Sequence, residues 1–342
     1  MLRLCLSGEL LARKNTEFVR ISLASILLFI LAISCLNAVK GLMSEQLKIG
    51  LVGAGVFAGY HANKLSDHPR VIFTGVVDRS AENAEKLAQK HAVPILTLDE
   101  LLTRSDAVVI ASPASVHGPA AIQALNAGCH CLIEKPLTTT LSEADEIAAL
   151  AATRKLTVQV GHQERMILRA IGLESVKERP IKIEAVRNSS YSLRGTDTSV
   201  TFDLMTHDID LCTALMGGAA DEINGQSRAV RSESSDMAYV WLRYGTSMAR
   251  LSASRIAEKT ERWMKLTYAS GEVLIDFNTK TLSNTTEFAL NENFSESEMA
   301  KDSLGAATDN FVRAVLDNAP VLVSAEEGVI AVRTAARIDR GT

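Results

Sequence analysis

Two aspartates and a histidine stand at a spacing that suits acid–base chemistry. The run from Asp203 to Asp210 reads Asp-Leu-Met-Thr-His-Asp-Ile-Asp, with the histidine at His207. If the run is helical, Asp203, His207 and Asp210 share one face, and Asp203 lies one turn from His207. A carboxylate beside an imidazole fixes its tautomer and raises its basicity, which suits a general base near neutral pH. The alternative is a helix-terminal aspartate that favours the helix dipole and a histidine packed in the core.

A lysine follows directly after another apolar run. Glu134, Lys135 and Pro136 come immediately after residues 129–133, which we predict to form a buried strand. At the carboxyl end of a parallel strand, a lysine points into the crevice where open α/β sheets bind ligands. The alternative is a lysine that is simply solvated at the end of its strand.

A glycine-rich turn follows the apolar run Leu47–Val52. Gly53, Gly55 and Ala58 fill the G-x-G-x-x-G/A positions, of which the first turns the chain, the second lets backbone approach a pyrophosphate and the third lets helix pack on strand. The diphosphate would lie on the free amides of a helix that starts near Val56 and Phe57, where the macrodipole favours negative charge. Glycine-rich turns also serve plain packing, so the signal is weak by itself.

An acidic residue at the end of the next strand strengthens the dinucleotide interpretation. Residues Val71–Val77 form a second apolar run, which ends in Asp78. The separation from Ala58 is the roughly 20 residues expected for a carboxylate that bonds ribose hydroxyls. Asp78 favours NAD, because its carboxylate repels a 2′-phosphate, whereas Arg79 beside it could hold that phosphate and favour NADP.

The elements that position these residues alternate in type along the first half of the chain. Further apolar strands are predicted at 106–111, 129–133 and 156–160, and helices at 56–65, 80–90, 97–102, 119–127 and 141–154. Strands and helices that alternate at this short spacing predict a doubly wound parallel sheet of about six strands. Its carboxyl edge would carry the glycine turn, Asp78 and Lys135.

After Gly161 the pattern changes to strands with in/out alternation. These are predicted at 182–188, 237–244, 247–256, 262–270 and 272–277, with closing helices at 304–316 and 325–337. We therefore predict an α/β protein with a Rossmann-type domain at 47–165 and, at 166–342, a substrate and oligomerisation domain with an open, mainly antiparallel sheet. One face of such a sheet is solvated or covered by a partner, which predicts a homodimer or homotetramer.

Composition excludes several classes of protein. The 342 residues are 47% hydrophobic and 22% charged, which argues against disorder. The net charge of −4 argues against a nucleic-acid-binding protein. The five cysteines are odd in number and lack C-x-x-C spacing, which favours a reduced, cytoplasmic protein. Cys129 and Cys131 are better explained as small buried residues than as metal ligands.

The leader, residues 1–46, does not fit a cytoplasmic enzyme. Residues 21–39 contain no charged side chain. This uncharged run is as long as a membrane span. The basic residues before this run would leave the large domain outside the cytoplasm, where a dissociable nicotinamide cofactor is not supplied. Our preferred hypothesis is that Met43 is the natural start, and a membrane anchor at 21–39 is the alternative.

The order and spacing of these motifs resemble the Gfo/Idh/MocA oxidoreductases over Leu47 to the C-terminus. The resemblance rests on the Gly-Ala-Gly-x-x-Ala-Gly-Tyr-His turn, Asp78, Ser-Pro-x-x-x-His, Glu-Lys-Pro and Asp-x-x-x-His. It implies reversible oxidation of a sugar or polyol hydroxyl by NAD or NADP. Lys135, Asp203 and His207 would form the catalytic trio, and Glu134 would lie by the nicotinamide. The cofactor cleft would be lined by Ser112, Pro113 and His117.

The substrate is less well indicated. The segment Gly161–Arg165 and the run Met205–Asp210 resemble the branch that acts on nucleotide-activated amino sugars, such as the UDP-N-acetylglucosamine 3-dehydrogenases, although Met166 stands where that branch has an aromatic residue. Candidate substrate contacts are Gln163, Arg165, Tyr191 and Arg194. An inositol-type polyol dehydrogenase and a non-catalytic, cofactor-sensing regulator are the alternatives, and the presence of all three members of the trio favours an enzyme.

Overall fold

The computed structural model describes residues 3–4, 9–14, 17–22, 45–192 and 195–341. The chain divides into two compact units, Met1–Gln46 and Leu47–Thr342. In the first unit, strands β1 (Arg3–Leu4), β2 (Glu9–Lys14) and β3 (Glu17–Ser22) pair antiparallel in chain order. The predicted span at 21–39 starts within β3, and its residues 23–39 lie outside the described part. No helix within the described ranges is long and apolar enough to cross a membrane.

A parallel sheet forms the first half of the large unit. Its strands are β4 (Leu47–Val52), β5 (Val71–Val77), β6 (Ala107–Ile110), β7 (His130–Ile133) and β8 (Val158–Val160), in the spatial order β5-β4-β6-β7-β8. The central strand β6 is buried throughout, as expected for a parallel sheet covered on both faces. The sheet has five strands, not about six, because the chain after β8 enters a helix that leads to the second sheet.

Helices connect and cover these strands. They are α1 (Val56–Asp67), α2 (Ala81–His91), α3 (Leu98–Arg104), α4 (Ala114–Asn126), α5 (Leu141–Arg154) and α6 (Arg165–Ile171). Ser80 caps α2 as predicted, by accepting a hydrogen bond from the Asn83 amide. Helix α4 begins at Ala114 rather than at 119, so Pro119 lies inside the helix. Our expectation that Pro119 starts the helix was wrong, because the ring removes one backbone bond without ending the helix here.

A seven-stranded sheet forms the second half. Its strands are β9 (Lys182–Asn188), β10 (Glu222–Arg228), β11 (Met237–Tyr244), β12 (Ser247–Ser254), β13 (Glu261–Tyr268), β14 (Gly271–Asp276) and β15 (Thr281–Asn284). The spatial order is β10-β11-β12-β9-β13-β14-β15, and all pairs are antiparallel except β12 with β9. The predicted α/β fold with a mainly antiparallel second sheet is therefore confirmed.

The remaining helices join the two halves. They are α7 (Thr206–Met216), α8 (Glu298–Lys301), α9 (Ser303–Leu316) and α10 (Ala325–Arg340). Helix α9 returns to the first sheet, where Phe311 and Val312 are fully buried in the hydrophobic cluster that includes residues of β4. Helix α10 packs on both α5 and α7. The division at 165/166 stays a prediction, because these helices make residues from Leu47 onward one compact unit.

Candidate active site

A cleft of about 1400 Å³ lies at the carboxyl edge of the parallel sheet. It contains eleven of the twelve residues predicted to bind a cofactor: Gly53, Gly55, Val56, Phe57, Asp78, Arg79, Ser112, Pro113, His117, Glu134 and Lys135. The twelfth, Ala58, is fully buried behind the turn, which suits its predicted role in packing helix on strand. The structure thus brings the predicted cofactor residues together in one cavity.

The glycine turn has the shape that a diphosphate requires. Gly53 has a φ of +114°, and a Cβ there would lie 2.7 Å from the carbonyl oxygen of Ala111, so only glycine fits. A Cβ on Gly55 would have nothing within 4 Å, which leaves open space beside the first turn of α1. That turn carries no acidic residue, and no side chain caps it. Its free amides therefore fit the pyrophosphate of a dinucleotide.

Asp78 fixes both loops that flank the predicted ribose position. Its Oδ2 accepts a hydrogen bond from the Ala54 amide at 2.6 Å, and its Oδ1 accepts one from the Ser80 amide at 2.7 Å. Each carboxylate oxygen keeps a further lone pair for a ribose hydroxyl. Asn83 also lines the cleft, although the sequence analysis did not select it. Its place in the first turn of α2, shortly after Asp78, is the signal that could have identified it.

His117 connects two loops of the cleft. Its Nδ1 lies 2.8 Å from the Pro136 carbonyl oxygen, and its Nε2 lies 2.9 Å from the Ser112 carbonyl oxygen. The side chain is 1% exposed. His117 therefore sets the spacing between the loop after β6 and the loop that carries Lys135.

Lys135 and Asp203 form an ion pair at the wall of the cleft. The Lys135 ammonium donates to Asp203 Oδ1 at 2.9 Å and to the Asp203 carbonyl oxygen at 2.7 Å. An ammonium has three donors, so one remains for a substrate oxygen. Next to it, Glu134 is 6% exposed and its Oε1 lies 2.8 Å from Nε2 of the buried His61. The pair with His61 holds the Glu134 carboxylate at the edge of the cleft.

The expected contact between Asp203 and His207 is not found among the described residues. Residues Thr201–Met205 form one π-helical turn before α7, which changes the angle between Asp203 and His207 from that of a regular helix. The Asp203 carboxylate therefore turns to Lys135. The acid paired with His207 is Glu164, whose Oε1 lies 3.8 Å from His207 Nδ1.

His207 lies on a buried cluster of charges. Arg187 donates to both oxygens of Glu164, at 2.8 and 2.6 Å, and to both oxygens of Asp208, at 3.0 and 2.8 Å. Burial lowers the pKa of His207 well below its usual value, and the charges of Arg187 and Lys135 act in the same direction. Burial alone would raise the pKa of Glu164, but Arg187 outweighs it and lowers that pKa. His207 is therefore a neutral imidazole at neutral pH.

The predicted substrate contacts are placed differently. The Arg165 guanidinium is buried and donates to both oxygens of Asp210 at 2.8 Å and to Glu327 at 2.9 Å. Arg165 is absent from the lining of the cleft. Asp210 therefore pairs with Arg165, although the sequence predicted that it shares a helix face with Asp203 and His207. The Tyr191 ring is covered by the guanidinium of Arg231, 4.1 Å from its centroid.

Two further candidates receive little support. Gln163 is half-buried and is absent from the lining of the cleft, as is Tyr191. Arg194 lies outside the described residues. The structure therefore brings the predicted cofactor residues together with Lys135 and Asp203 at the cleft, whereas His207, Gln163, Arg165 and Tyr191 are absent from its lining.

The far wall of the cleft is a segment that sequence reasoning missed. Gly195, Asp197 and Thr198 line the cavity. The guanidinium of Arg255 donates from Nη1 to the Gly195 carbonyl oxygen at 2.7 Å and to the Thr198 carbonyl oxygen at 2.9 Å. A Cβ on Gly195 would lie 2.7 Å from Asp203 Oδ2, so this wall also supports the carboxylate that holds Lys135.

Arg255 is anchored by a buried aspartate. Asp236 is fully buried, and its Oδ1 accepts a hydrogen bond from Arg255 Nε at 2.9 Å. Its Oδ2 accepts from the backbone amides of Val230, Arg231 and Ser232. Burial alone would raise the pKa of Asp236, but these four donors outweigh it and hold that pKa far below its usual value. Asp236 is therefore ionised, and Arg255 forms a rigid link between it and the cleft wall.

Replacing Arg255 with methionine is expected to lower the free energy of unfolding by about 3–5 kcal/mol, because a buried carboxylate loses its charged partner. The affinity for cofactor should also fall, since the 195–198 wall loses two hydrogen bonds. Urea unfolding and cofactor titration measure the two effects. The control is Arg243→Met, which removes an exposed pair with Glu222 and should change little. Equal effects from both substitutions would contradict the assignment.

Known proteins resemble this chain along most of its length. A family described as "Oxidoreductase family, NAD-binding Rossmann fold" matches residues 47–162. The UDP-N-acetylglucosamine 3-dehydrogenase of Acidithiobacillus ferrooxidans is 31% identical over 299 residues, which cover 83% of this chain and 93% of that protein. A solved structure of the same enzyme aligns with a TM-score of 0.77 at 29% identity and covers 86% of this chain and 97% of that one.

A second solved structure supports the fold alone. GenD2 from gentamicin A biosynthesis, solved in complex with NAD, aligns with a TM-score of 0.75. It is 23% identical and covers 87% of this chain and 94% of that one. This protein therefore shares the two-sheet fold although its sequence identity to the chain is low.

Proposed function

The chain belongs to the Gfo/Idh/MocA family of oxidoreductases with an NAD-binding Rossmann fold, and on that premise we propose that it is an NAD-dependent sugar or nucleotide-sugar dehydrogenase. The observation that carries the proposal is the Lys135–Asp203 pair at the wall of the dinucleotide cleft, with a neutral His207 on the helix that follows. An ammonium and an uncharged imidazole are the groups that oxidation of a hydroxyl needs. A regulator without catalysis does not need both.

The cleft fits a nicotinamide dinucleotide. Gly53 and Gly55 leave the room that a pyrophosphate needs, and Asp78 presents acceptors to a ribose. Bound NAD supplies the acceptor for the hydride of the carbinol carbon. We expect a lower Michaelis constant for NAD than for NADP, because the Asp78 carboxylate repels a 2′-phosphate. The opposite preference would assign that phosphate to Arg79.

The chain's own residues do the proton chemistry. Lys135 donates its remaining N–H to the substrate hydroxyl oxygen and stabilises the negative charge that develops there. Asp203 fixes the direction of this ammonium through two contacts. His207 accepts the hydroxyl proton, because its lowered pKa keeps the imidazole unprotonated at neutral pH. Glu164, 3.8 Å from Nδ1, stabilises the imidazolium that results.

Nucleotide sugars are the first substrate class to test. The relative from Acidithiobacillus ferrooxidans is named for UDP-N-acetylglucosamine and covers most of this chain. The experiment is to incubate the purified protein with NAD and a panel of UDP-sugars, free sugars and inositols, while absorbance reports reduced cofactor. Reduction by a sugar or nucleotide sugar supports the proposal. If the protein binds NAD but no compound in the panel leads to its reduction, the result would favour a non-catalytic, cofactor-sensing regulator.

We also propose a homodimer or homotetramer formed through the second sheet. On its outer face Tyr239 and Trp241 are 52% and 49% exposed, and Met248 lies on the strand beside them. Exposed aromatic residues on a broad sheet face are typical of a subunit interface. Light scattering that gives the mass of one chain would contradict this assembly.

A cytoplasmic location follows from the same account. Cys129, Cys131 and Cys212 are free and buried, which suits a reducing compartment. NAD is also supplied there. Mass spectrometry of the N-terminal peptide tests the location further. A start at Met43 would remove the charge-free run at 21–39. A protein that contains this run would favour the membrane anchor instead.

A further inference from the structure

We propose that Arg262 binds an anionic group of the substrate, so that the sugar oxidised here carries a phosphate, a diphosphate or a carboxylate. The inference rests on the proposed function and narrows it, because neutral sugars and inositols would lack a partner for this side chain. Arg262 was not among the substrate contacts expected from sequence. Its assignment comes from its strand register and from its lack of partners.

The register places Arg262 beside the charged cluster under His207. Strand β13 pairs antiparallel with β9, and Arg262 lies directly opposite Arg187. On β13 the buried residues Met264 and Leu266 mark the inner face, and Arg262 shares that face because side chains alternate along a strand. Directly opposed residues have Cβ atoms about 5 Å apart. Arg262 therefore starts from the same side of the sheet as Arg187.

The neighbouring arginine is fully occupied. Arg187 is 2% exposed and donates its hydrogen bonds to Glu164 and Asp208. Glu164 in turn lies 3.8 Å from His207. The acids of the cluster thus pair with Arg187 and leave Arg262 as a flanking cation without a carboxylate of its own.

Arg262 has an unused guanidinium. Within the part of the chain that the structure describes, it forms no ion pair and its side chain forms no hydrogen bond, and its Nε is buried without a partner. The side chain as a whole is half-buried. A buried N–H without an acceptor costs free energy, and native proteins keep such groups mainly where a ligand or water completes them.

Other buried arginines of the chain show the contrast. Arg165, Arg187 and Arg255 are each 5% exposed or less, and each donates to at least one carboxylate. Arg165, a candidate substrate contact from the sequence, donates to Asp210 and Glu327. Among the residues that the structure describes, Arg262 is a guanidinium of this cluster without a carboxylate partner, so it is available for an incoming anion.

Electrostatics agree with this placement. Burial is the main cause of the lowered pKa of His207, and the charge of Arg262 contributes in the same direction as those of Arg187 and Lys135. The geometry points the same way, because Arg262 lies directly opposite Arg187, Arg187 donates to Glu164, and Glu164 lies 3.8 Å from His207. An anion bound to Arg262 would therefore lie on the side of the charged cluster that carries the proton acceptor.

The test compares Arg262→Gln and Arg262→Lys with the wild type. With a UDP-sugar, a sugar 1-phosphate and a uronic acid as separate substrates, we expect the KM of the preferred anion to rise about 10- to 100-fold in R262Q, the scale of one charge-assisted hydrogen bond. The lysine variant should recover part of the loss. The affinity for NAD should be unchanged in both. Which anion shows the effect identifies the source of the charge.

The matched control is Lys265→Gln. Lys265 lies on the same strand but on the outer face, where it pairs with Glu184 and Glu272. Its replacement should leave the KM of anionic sugars unchanged.

A second measurement does not depend on turnover. UDP, glucuronate and inorganic phosphate are each titrated into the wild type and R262Q, and the melting temperature is followed. We expect at least one of these anions to stabilise the wild type and not R262Q. Equal stabilisation of both proteins, equal KM values, or a wild type that oxidises only neutral sugars would overturn the assignment of Arg262. A wild type that binds NAD and an anion but oxidises no sugar would instead overturn the proposed function.

Discussion

Replacing Lys135 with methionine is expected to lower kcat at least about 100-fold, the scale of one general acid–base group, while the affinity for NAD stays close to that of the wild type. Methionine keeps the length of the side chain but removes every N–H that contacts Asp203 and the substrate oxygen. The transition state loses its main donor, whereas the glycine turn and Asp78 remain intact. Steady-state kinetics and NADH fluorescence titration separate the two effects.

The matched control for this substitution is Lys64→Met. Lys64 forms a comparable pair with Asp302, at 2.7 Å, and it is absent from the lining of the cleft. Its replacement should leave kcat near the wild-type value. Turnover retained by K135M, or lost equally in K64M, would remove Lys135 from the mechanism.

Replacing His207 with asparagine is expected to lower kcat by about 100- to 10,000-fold and to remove the acid limb of the pH profile. In the wild type the imidazole must be unprotonated to accept a proton. Burial lowers its pKa well below the usual 6.5, so kcat/KM should stay level as the pH falls through 6.5 and should decline only below it. The measurement is the pH profile of kcat/KM for sugar oxidation by both proteins.

His91 supplies the control for the pH profile. It lies on α2 outside the cleft, where its Nδ1 is 2.8 Å from the Ser66 hydroxyl oxygen. The His91→Asn variant should keep the wild-type profile. An acid limb that remains in the same place in H207N would show that another group accepts the proton.

The parts of the fold and site that follow from local signals were predictable from the sequence. Strands β4 and β5 have the predicted bounds, because each is a short apolar run closed by a glycine or an aspartate. The glycine turn and Asp78 depend only on residues close in the chain, and the structure places both in one cleft. The rule that parallel strands present ligand sites at their carboxyl ends then located Lys135.

Features that depend on distant partners were not predictable. The π turn at 201–205 separates Asp203 from His207, and the acid that pairs with His207 comes from the start of α6. The pairing of Arg165 with Glu327 was not predicted, because Glu327 lies on the last helix. The cleft wall at 195–198 depends on Arg255, which directly follows strand β12 in the chain. In each case the deciding contact joins segments far apart in sequence.

Two edge strands were missed for a different reason. β10 and β15 are largely polar and have neighbours on one side only. Edge strands bury little apolar surface, so their hydrophobic alternation is weak. Their pairing is set by β11 and β14, which the alternation did identify.

A nicotinamide dinucleotide is expected to occupy the cleft at the glycine turn, and NADH titration of Gly55→Val tests this most directly. A Cβ at Gly55 has open space and an ordinary φ of −72°, so the fold should tolerate the substitution, but the added side chain would fill the space needed by the pyrophosphate. Gly59→Ala is the control, since its Cβ also meets nothing and Gly59 is absent from the lining. We predict saturable binding by the wild type and G59A, and at least about tenfold weaker binding by G55V at an unchanged melting temperature. Equal NADH affinity in all three proteins, or no binding by the wild type, would contradict the account.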